Sequence, residues 1–299
     1  MTSGPPRPPV SQELLDLYDR YAHGFISRRE FARSAARFAV GGLTVAAVME
    51  SVLPRYAEAQ QVQEDDERLE ATRVEYPSPE GAGTMGAYLV RPRAAAGPLP
   101  GVVVIHENRG LNPHIADVTR RAALAGYVAL APDALFPLGG YPGNDDDGRA
   151  LQRQRDRDEM ANDFEAAIRW LQGHAWCNGR VACMGFCFGG SMANLMAVRI
   201  PDLAAAVPFY GGQPEVDRAG EIRAPLLLHF GELDERVNAG WPEYREALDA
   251  AGKDFVAHFY EGANHGFHND TTPRYDEAAA KLAWQRTLDF LAEHLRGEE

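Results

Sequence analysis

The stretch Val181-Ala-Cys-Met-Gly-Phe-Cys-Phe-Gly-Gly190 leaves this chain little freedom, because an apolar run breaks at Gly185-x-Cys187-x-Gly189 and the small-residue pattern of a helix follows at once. A buried strand, a sharp turn and a helix in immediate succession satisfy that pattern. At such a turn the middle residue is held in a strained backbone conformation, and flanking glycines avoid Cβ clashes with the neighbouring strand and helix. The side chain is lifted clear of the sheet, over a helix N-terminus whose free N–H groups favour a thiolate and stabilise an oxyanion. Cys187 is therefore the candidate nucleophile. The competing reading is that it is one more small buried hydrophobe, as most free cysteines are.

From about Glu70 onward, short apolar or β-branched runs alternate with longer helical stretches, the signature of a mainly parallel sheet covered by helices on both faces. Thr72 to Tyr76 and Met85 to Arg91 read as an opening hairpin, Gly101 to His106 as a fully buried strand and Ile115 to Leu124 as a crossover helix. Tyr127 to Ala131, the strand before Cys187, Ala204 to Tyr210, Pro225 to Phe230 and Phe255 to Tyr260 continue the sheet; helices are expected around Asp163 to Trp170, Trp241 to Ala250 and Asp276 to Leu295. The segment from Ala134 to about Gly148 reads as a long loop able to roof a site.

The 299 residues suffice for one large α/β domain plus an appendage, or for two modest domains. A formal charge of -13 argues against a nucleic-acid partner, since phosphate binding needs a concentrated basic surface. The cysteines Cys177, Cys183 and Cys187 form no disulfide framework and no C-x-x-C pair, and neither a metal nor a cofactor is expected.

Residues 1–59 form a separate N-terminal extension, ahead of a catalytic domain expected over 70–299. A proline-rich opening precedes an amphipathic stretch from Glu13. Then come the paired arginines of Ser27-Arg28-Arg29-Glu30-Phe31, a moderately apolar run from Phe38 to Met49 and the small-x-small pattern Ala57-Glu58-Ala59. This resembles a twin-arginine export signal, which would place the protein in the periplasm or elsewhere outside the cytoplasm. A helical subdomain is the alternative. Stable membrane insertion is not expected: followed on to Leu53, before Pro54, the apolar run is about 16 residues long and holds Glu50, against the roughly 20 residues a spanning helix needs.

Catalytic groups of a doubly wound sheet gather beyond the carboxyl ends of its strands. Asp234 follows the strand ending at Phe230 and His265 follows the strand ending at Tyr260, so nucleophile, acid and base occur in the order of an α/β-hydrolase triad. His265 would exchange protons with the thiol and the leaving group, while Asp234 would fix the imidazole tautomer. Glu232 and Glu235 compete for the role of Asp234, and His268, otherwise a pocket or surface residue, competes for that of His265. His106 reads as a core histidine. At the end of the first long buried strand, the N–H of Asn108 joins that of Phe188 as the expected oxyanion hole. Glu107, beside the site, would hold the thiol protonated until substrate arrives; alternatively it is solvated or paired with Arg109.

Val103-Val-Ile-His-Glu-Asn-Arg-Gly-Leu-Asn112, Gly126-Tyr-Val-Ala-Leu-Ala-Pro-Asp133, Gly185-Phe-Cys-Phe-Gly-Gly190, Gly231-x-x-Asp234 and His265-Gly-Phe267 together resemble the dienelactone hydrolase family of α/β-hydrolases. The resemblance implies a Cys187, Asp234, His265 triad, Glu107 as thiol switch, and cofactor-free attack on a small ester or lactone through a thioester. One departure is visible. The family's name-giving enzyme has a carboxylate-binding arginine four residues after the catalytic histidine, where this chain has Asn269. Substrate contacts are accordingly assigned to Arg109, His268 and Asn269, with a further arginine expected among Arg149, Arg153, Arg155 and Arg157. A non-catalytic binding protein on the same fold, or another acyl-transfer enzyme, is the alternative function.

Overall fold

The computed structural model describes residues 10–40 and 43–296; the proline-rich opening and Gly41-Gly42 of the apolar run lie outside them. The body is one eight-stranded sheet in the order β1-β2-β4-β3-β5-β6-β7-β8. Its strands are β1 (Leu69–Ser78), β2 (Gly83–Pro92), β3 (Leu99–Ile105), β4 (Val128–Pro132), β5 (Cys177–Phe186), β6 (Ala205–Phe209), β7 (Leu226–Gly231) and β8 (Phe255–Tyr260). β2 runs antiparallel to both β1 and β4. The other pairings, from β4 through β3, β5, β6 and β7 to β8, are parallel. This is the α/β-hydrolase fold.

Alternation along the central strands sends successive side chains into two cores, because a strand has a side-chain period of two. Val103, Ile105 and Cys183 face one core, with Phe164 and Met192; Val102, Val104 and Met184 face the other, with Ile115 and Leu291. Helices are numbered along the chain: α1 (Gln12–Ala22), α2 (Arg28–Ala35), α3 (Val45–Val52), α4 (Tyr56–Ala59), α5 (Pro113–Leu124), α6 (Asp145–Gln152), α7 (Arg157–Gln172), α8 (Phe188–Arg199), α9 (Glu235–Asn238), α10 (Trp241–Ala250) and α11 (Glu277–Arg296). Thus α7 and α8 cover the first face of the sheet and α5 and α11 the second. No helix among the described residues is long and apolar enough to cross a membrane.

The expected long loop is partly helical. Asn144 caps α6 by accepting the Asp147 N–H, and Asp145, Asp146 and Asp147 occupy the first turn, where negative charge complements the helix dipole.

Helices within 12–40 and 43–59 share a small core of their own, in which Tyr18 and Phe31 are fully buried beside Leu14, Val48 and Val52. Arg28 and Arg29 open α2 behind a capping box, Ser27 and Glu30 each satisfying the other's backbone N–H. This unit is fastened to the body by polar contacts. Arg28 reaches Asp146 at 2.6 Å, Tyr56 donates to Asp145 at 2.6 Å, Arg274 donates to Asp19 at 2.7 Å and Asn108 Nδ2 donates to the Ala22 carbonyl at 2.8 Å.

Candidate active site

Cys187 sits between β5 and α8 with φ 57° and ψ −111°, a left-handed backbone that a non-glycine residue adopts only under constraint. The glycines explain how the turn closes. A Cβ on Gly185 would lie 1.9 Å from the Gly189 carbonyl oxygen, and one on Gly189 would lie 2.2 Å from the Ile105 carbonyl oxygen. The neighbouring strand and the helix therefore approach each other through the two missing side chains. The Cys187 N–H donates to the Phe209 carbonyl at 3.1 Å, which ties the turn to β6. As the first residue of α8, Phe188 has no intrahelical acceptor for its N–H.

Asp234 is the N-cap of α9 and lies at the end of β7. Its Oδ2 is 2.5 Å from His265 Nδ1, while Glu232 accepts the Gly262 N–H at 2.8 Å, so the competing carboxylate is engaged elsewhere. With Nδ1 held by Asp234, His265 keeps Nε2 free, and this buried atom has no hydrogen-bond partner. The ring lies against Tyr210, whose backbone has φ 37°, at a centroid distance of 5.0 Å.

The electrostatics favour charge separation. Burial pushes the Cys187 thiol up, but the cations of His265 and His23 and the hydrogen bond with His23 outweigh it and bring the thiol down to about 5. Burial presses His265 down, yet the Asp234 carboxylate and the Cys187 thiolate raise it to about 10. A thiolate beside an imidazolium is therefore the resting form at neutral pH. By contrast, burial pushes the thiol of Cys183 far above its ordinary value, as expected of a core cysteine. All three cysteines are free.

The remaining expected site residues are placed differently. Glu107 is fully enclosed and accepts from Asn269 Nδ2 at 2.9 Å, with Arg109 3.8 Å away. Burial raises its carboxyl, but Arg109, His114 and Arg274 hold it below the ordinary value. Glu107 is held as an ionised partner of Asn269 and Arg109. Arg109 is buried and donates to Asp145 at 2.6 Å, which anchors α6. Asn269 donates its side-chain Nδ2 to Glu107 and accepts from the N–H and hydroxyl of Thr271 on its Oδ1. His268 is buried against Phe186 and Phe209, is driven down to about 3 by burial and the Arg121 charge, and lines a separate cavity with Trp284. His106 is the expected core histidine, accepting the Ala134 N–H at 3.1 Å. Of the four candidate arginines, Arg149 and Arg155 are consumed by Asp146 and Asp163; Arg157 lies over the Phe188 ring at 5.7 Å.

Two site residues have no precedent in the sequence reading. His23, just past α1, places Nε2 3.4 Å from Cys187 Sγ. Arg236 in α9 places Nη2 3.2 Å from His23 Nε2 and 3.3 Å from His265 Nδ1. Beside His265, a cavity of about 230 Å³ is lined by Asp19 and Phe25 of the N-terminal unit and by Asp234, Arg236 and Arg274 of the body. Arg236 lies two residues after Asp234, a position that could have flagged it, whereas no local pattern marks His23.

A strained cysteine, a histidine and a carboxylate at the strand ends of this fold coincide with a match to the family model described as "Dienelactone hydrolase family" over residues 85–295. The chain belongs to the dienelactone hydrolase family and is a hydrolase. It is 35% identical over 231 residues to the "Putative carboxymethylenebutenolidase" of Salmonella typhimurium, covering 72% of this chain and 85% of that protein. It is 33% identical to the "Probable 2-oxo-3-(5-oxofuran-2-ylidene)propanoate lactonase" of a Bradyrhizobium species, covering 71% and 90%. Among solved structures, the "Putative Dienelactone Hydrolase" of Klebsiella pneumoniae superposes with a TM-score of 0.66 at 32% identity, covering 75% of this chain and 99% of that one. A second family model, "YqhI-like", matches residues 8–39, the start of the N-terminal unit.

Proposed function

We propose that the chain hydrolyses a small ester or lactone through a thioester on Cys187, without a cofactor. The observation that carries this reading is the strained Cys187 thiolate beside a His265 whose Nδ1 is fixed by Asp234. In the first step Sγ attacks the substrate carbonyl carbon, and the oxyanion takes hydrogen bonds from the N–H groups of Asn108 and Phe188. His265 gives its Nε2 proton to the departing oxygen as the C–O bond breaks. In the second step water attacks the thioester, His265 takes up the water proton, and the C–S bond breaks to release the acid and restore the thiolate. The relatives' names, a carboxymethylenebutenolidase and a lactonase, support a lactone as substrate. The arginine beside the site, Arg236, replaces Arg109 and Asn269 as the group available to a substrate carboxylate. A panel of p-nitrophenyl esters and small lactones tests the reading: turnover is expected to vanish in Cys187→Ala and His265→Ala, and full activity in either removes the triad.

For residues 1–59 the buried packing of α1, α2 and α3 and the YqhI-like match support a resident cap over the catalytic domain of 70–299. Export through Arg28-Arg29 to the periplasm is the rival proposal. Sequencing the mature N-terminus separates them, since export with cleavage gives a chain starting near Gln60 and a resident cap retains α1.

A further inference from the structure

Cys187, His23 and His265 each offer one ligand atom, and these atoms all lie within 4.8 Å of one another. Zinc bonds of about 2.3 Å to sulfur and about 2.05 Å to nitrogen, set tetrahedrally, separate the donor atoms by roughly 3.3–3.6 Å. The Cys187 Sγ to His23 Nε2 distance of 3.4 Å already falls in that range. The third donor, His265 Nε2, is buried and has no hydrogen-bond partner. Because all three donors lie within 4.8 Å, bringing it into place needs a shift of at most about 1.5 Å.

The surroundings of the two imidazoles match what a metal-binding histidine requires. A ligating ring gives its other N–H to a carboxylate or a backbone carbonyl, which fixes the tautomer and aims the free nitrogen at the ion. His265 Nδ1 lies 2.5 Å from Asp234 Oδ2. His23 Nδ1 lies 2.9 Å from the Asp19 carbonyl oxygen and 3.3 Å from its carboxylate. Asp19 is itself held by Arg274 at 2.7 Å. Two separate parts of the chain thus present Nε2 to one sulfur. The opposing feature is Arg236, whose Nη2 is 3.2 Å from His23 Nε2; this side chain is exposed and has solvent to turn into.

We infer that Cys187, His23 and His265 form a reversible binding site for one Zn²⁺ or a similarly borderline-soft divalent cation, which joins the N-terminal unit to the catalytic domain. A thiolate and two imidazoles suit such an ion, whereas Mg²⁺ and Ca²⁺ seek oxygen donors. On binding, three metal–ligand bonds form, and the proton carried by His265 Nε2 leaves for solvent together with any on His23 Nε2; nothing is oxidised or reduced. The bound ion withholds Cys187 and His265 from hydrolysis, a consequence that rests on the function proposed above, although the site itself does not.

The test uses the full chain, stripped with a chelator and titrated with Co²⁺ as a visible probe. The expected result is one Co²⁺ per chain with a sulfur-to-cobalt charge-transfer band, displaced by Zn²⁺, and a Zn²⁺ affinity at least about tenfold weaker in His23→Ala. Zinc X-ray absorption of the unmutated protein gives a variant-free reading, expected to show one sulfur and two imidazole nitrogens. A site without sulfur, or an affinity unchanged in a folded His23→Ala, overturns the inference. Ester turnover by the stripped protein separates the two ideas. Cys187-dependent turnover with no such cobalt band leaves the hydrolase reading and removes the metal site, and a cobalt band with no turnover does the reverse.

Discussion

At Cys187 one backbone geometry and two charges act together: φ 57° sets the residue on the turn, and His265 and His23 stabilise its anion. The sign of the pH dependence follows. Cys187 is depressed to about 5 and is protonated below it, so attack is lost as pH falls through that value. His265 is raised to about 10 and deprotonates above it, so the leaving group loses its proton donor as pH rises through that value. Metal-free protein should therefore be alkylated by iodoacetamide at a constant rate across the neutral range, falling below about pH 5. A rate still climbing toward the ordinary cysteine value of about 8.5 would refute the ion pair. Glu107, bound by Asn269 and Arg109, is tested as the proposed thiol switch by Glu107→Gln: faster labelling at neutral pH is expected of a switch, and an unchanged rate counts against one. The turn itself has no slack. Gly185→Ala puts a Cβ into the Gly189 backbone at 1.9 Å, and a loss of about 3 kcal/mol or more is expected in denaturant unfolding.

The strands and helices of the body could be read along the chain because each carries its own pattern. Trp241–Ala250 and Phe255–Tyr260 have the bounds the sequence suggests, and Cys177–Phe186 only extends the expected strand. Asp145–Gln152 escaped because its Gly- and Pro-rich approach reads as loop, whereas the local bond from Asn144 starts a helix. The N-terminal unit was ambiguous for a different reason. Paired arginines before an apolar run describe both an export signal and an amphipathic helix pair, and the local pattern is the same for the two. That packing gives a test at the level of elements. Phe31→Ala should cost about 3–5 kcal/mol locally, seen as loss of hydrogen-exchange protection over α1 to α3 while β3 and β5 keep theirs. Uniform loss across the sheet would show that the unit does not unfold separately.

Over the whole molecule, the site joins segments far apart in sequence. Asp234 and His265 were readable because the fold delivers strand ends to one edge in a fixed order; His23 was not, since it arrives from outside the sheet, 164 positions from Cys187. The same distance limit affected Arg109. Its pairing with Glu107 was one of the readings the sequence allowed, but its hydrogen bond to Asp145, which anchors the segment that meets the N-terminal unit, was not. Arg109→Met leaves two buried carboxylates short of their cation. It should lower stability by about 3–5 kcal/mol while the KM of the folded fraction holds, whereas a raised KM at unchanged stability would return Arg109 to the substrate.

The acyl-enzyme is the central claim, and trapping it is the direct test. Protein quenched in acid during turnover of an ester or lactone should yield a Cys187 peptide carrying the acyl group as a hydroxylamine-labile thioester, with no adduct in Cys187→Ser, where the adduct would be an ester. Sustained turnover with Cys187 unmodified throughout, or undiminished turnover in Cys187→Ala, would contradict it.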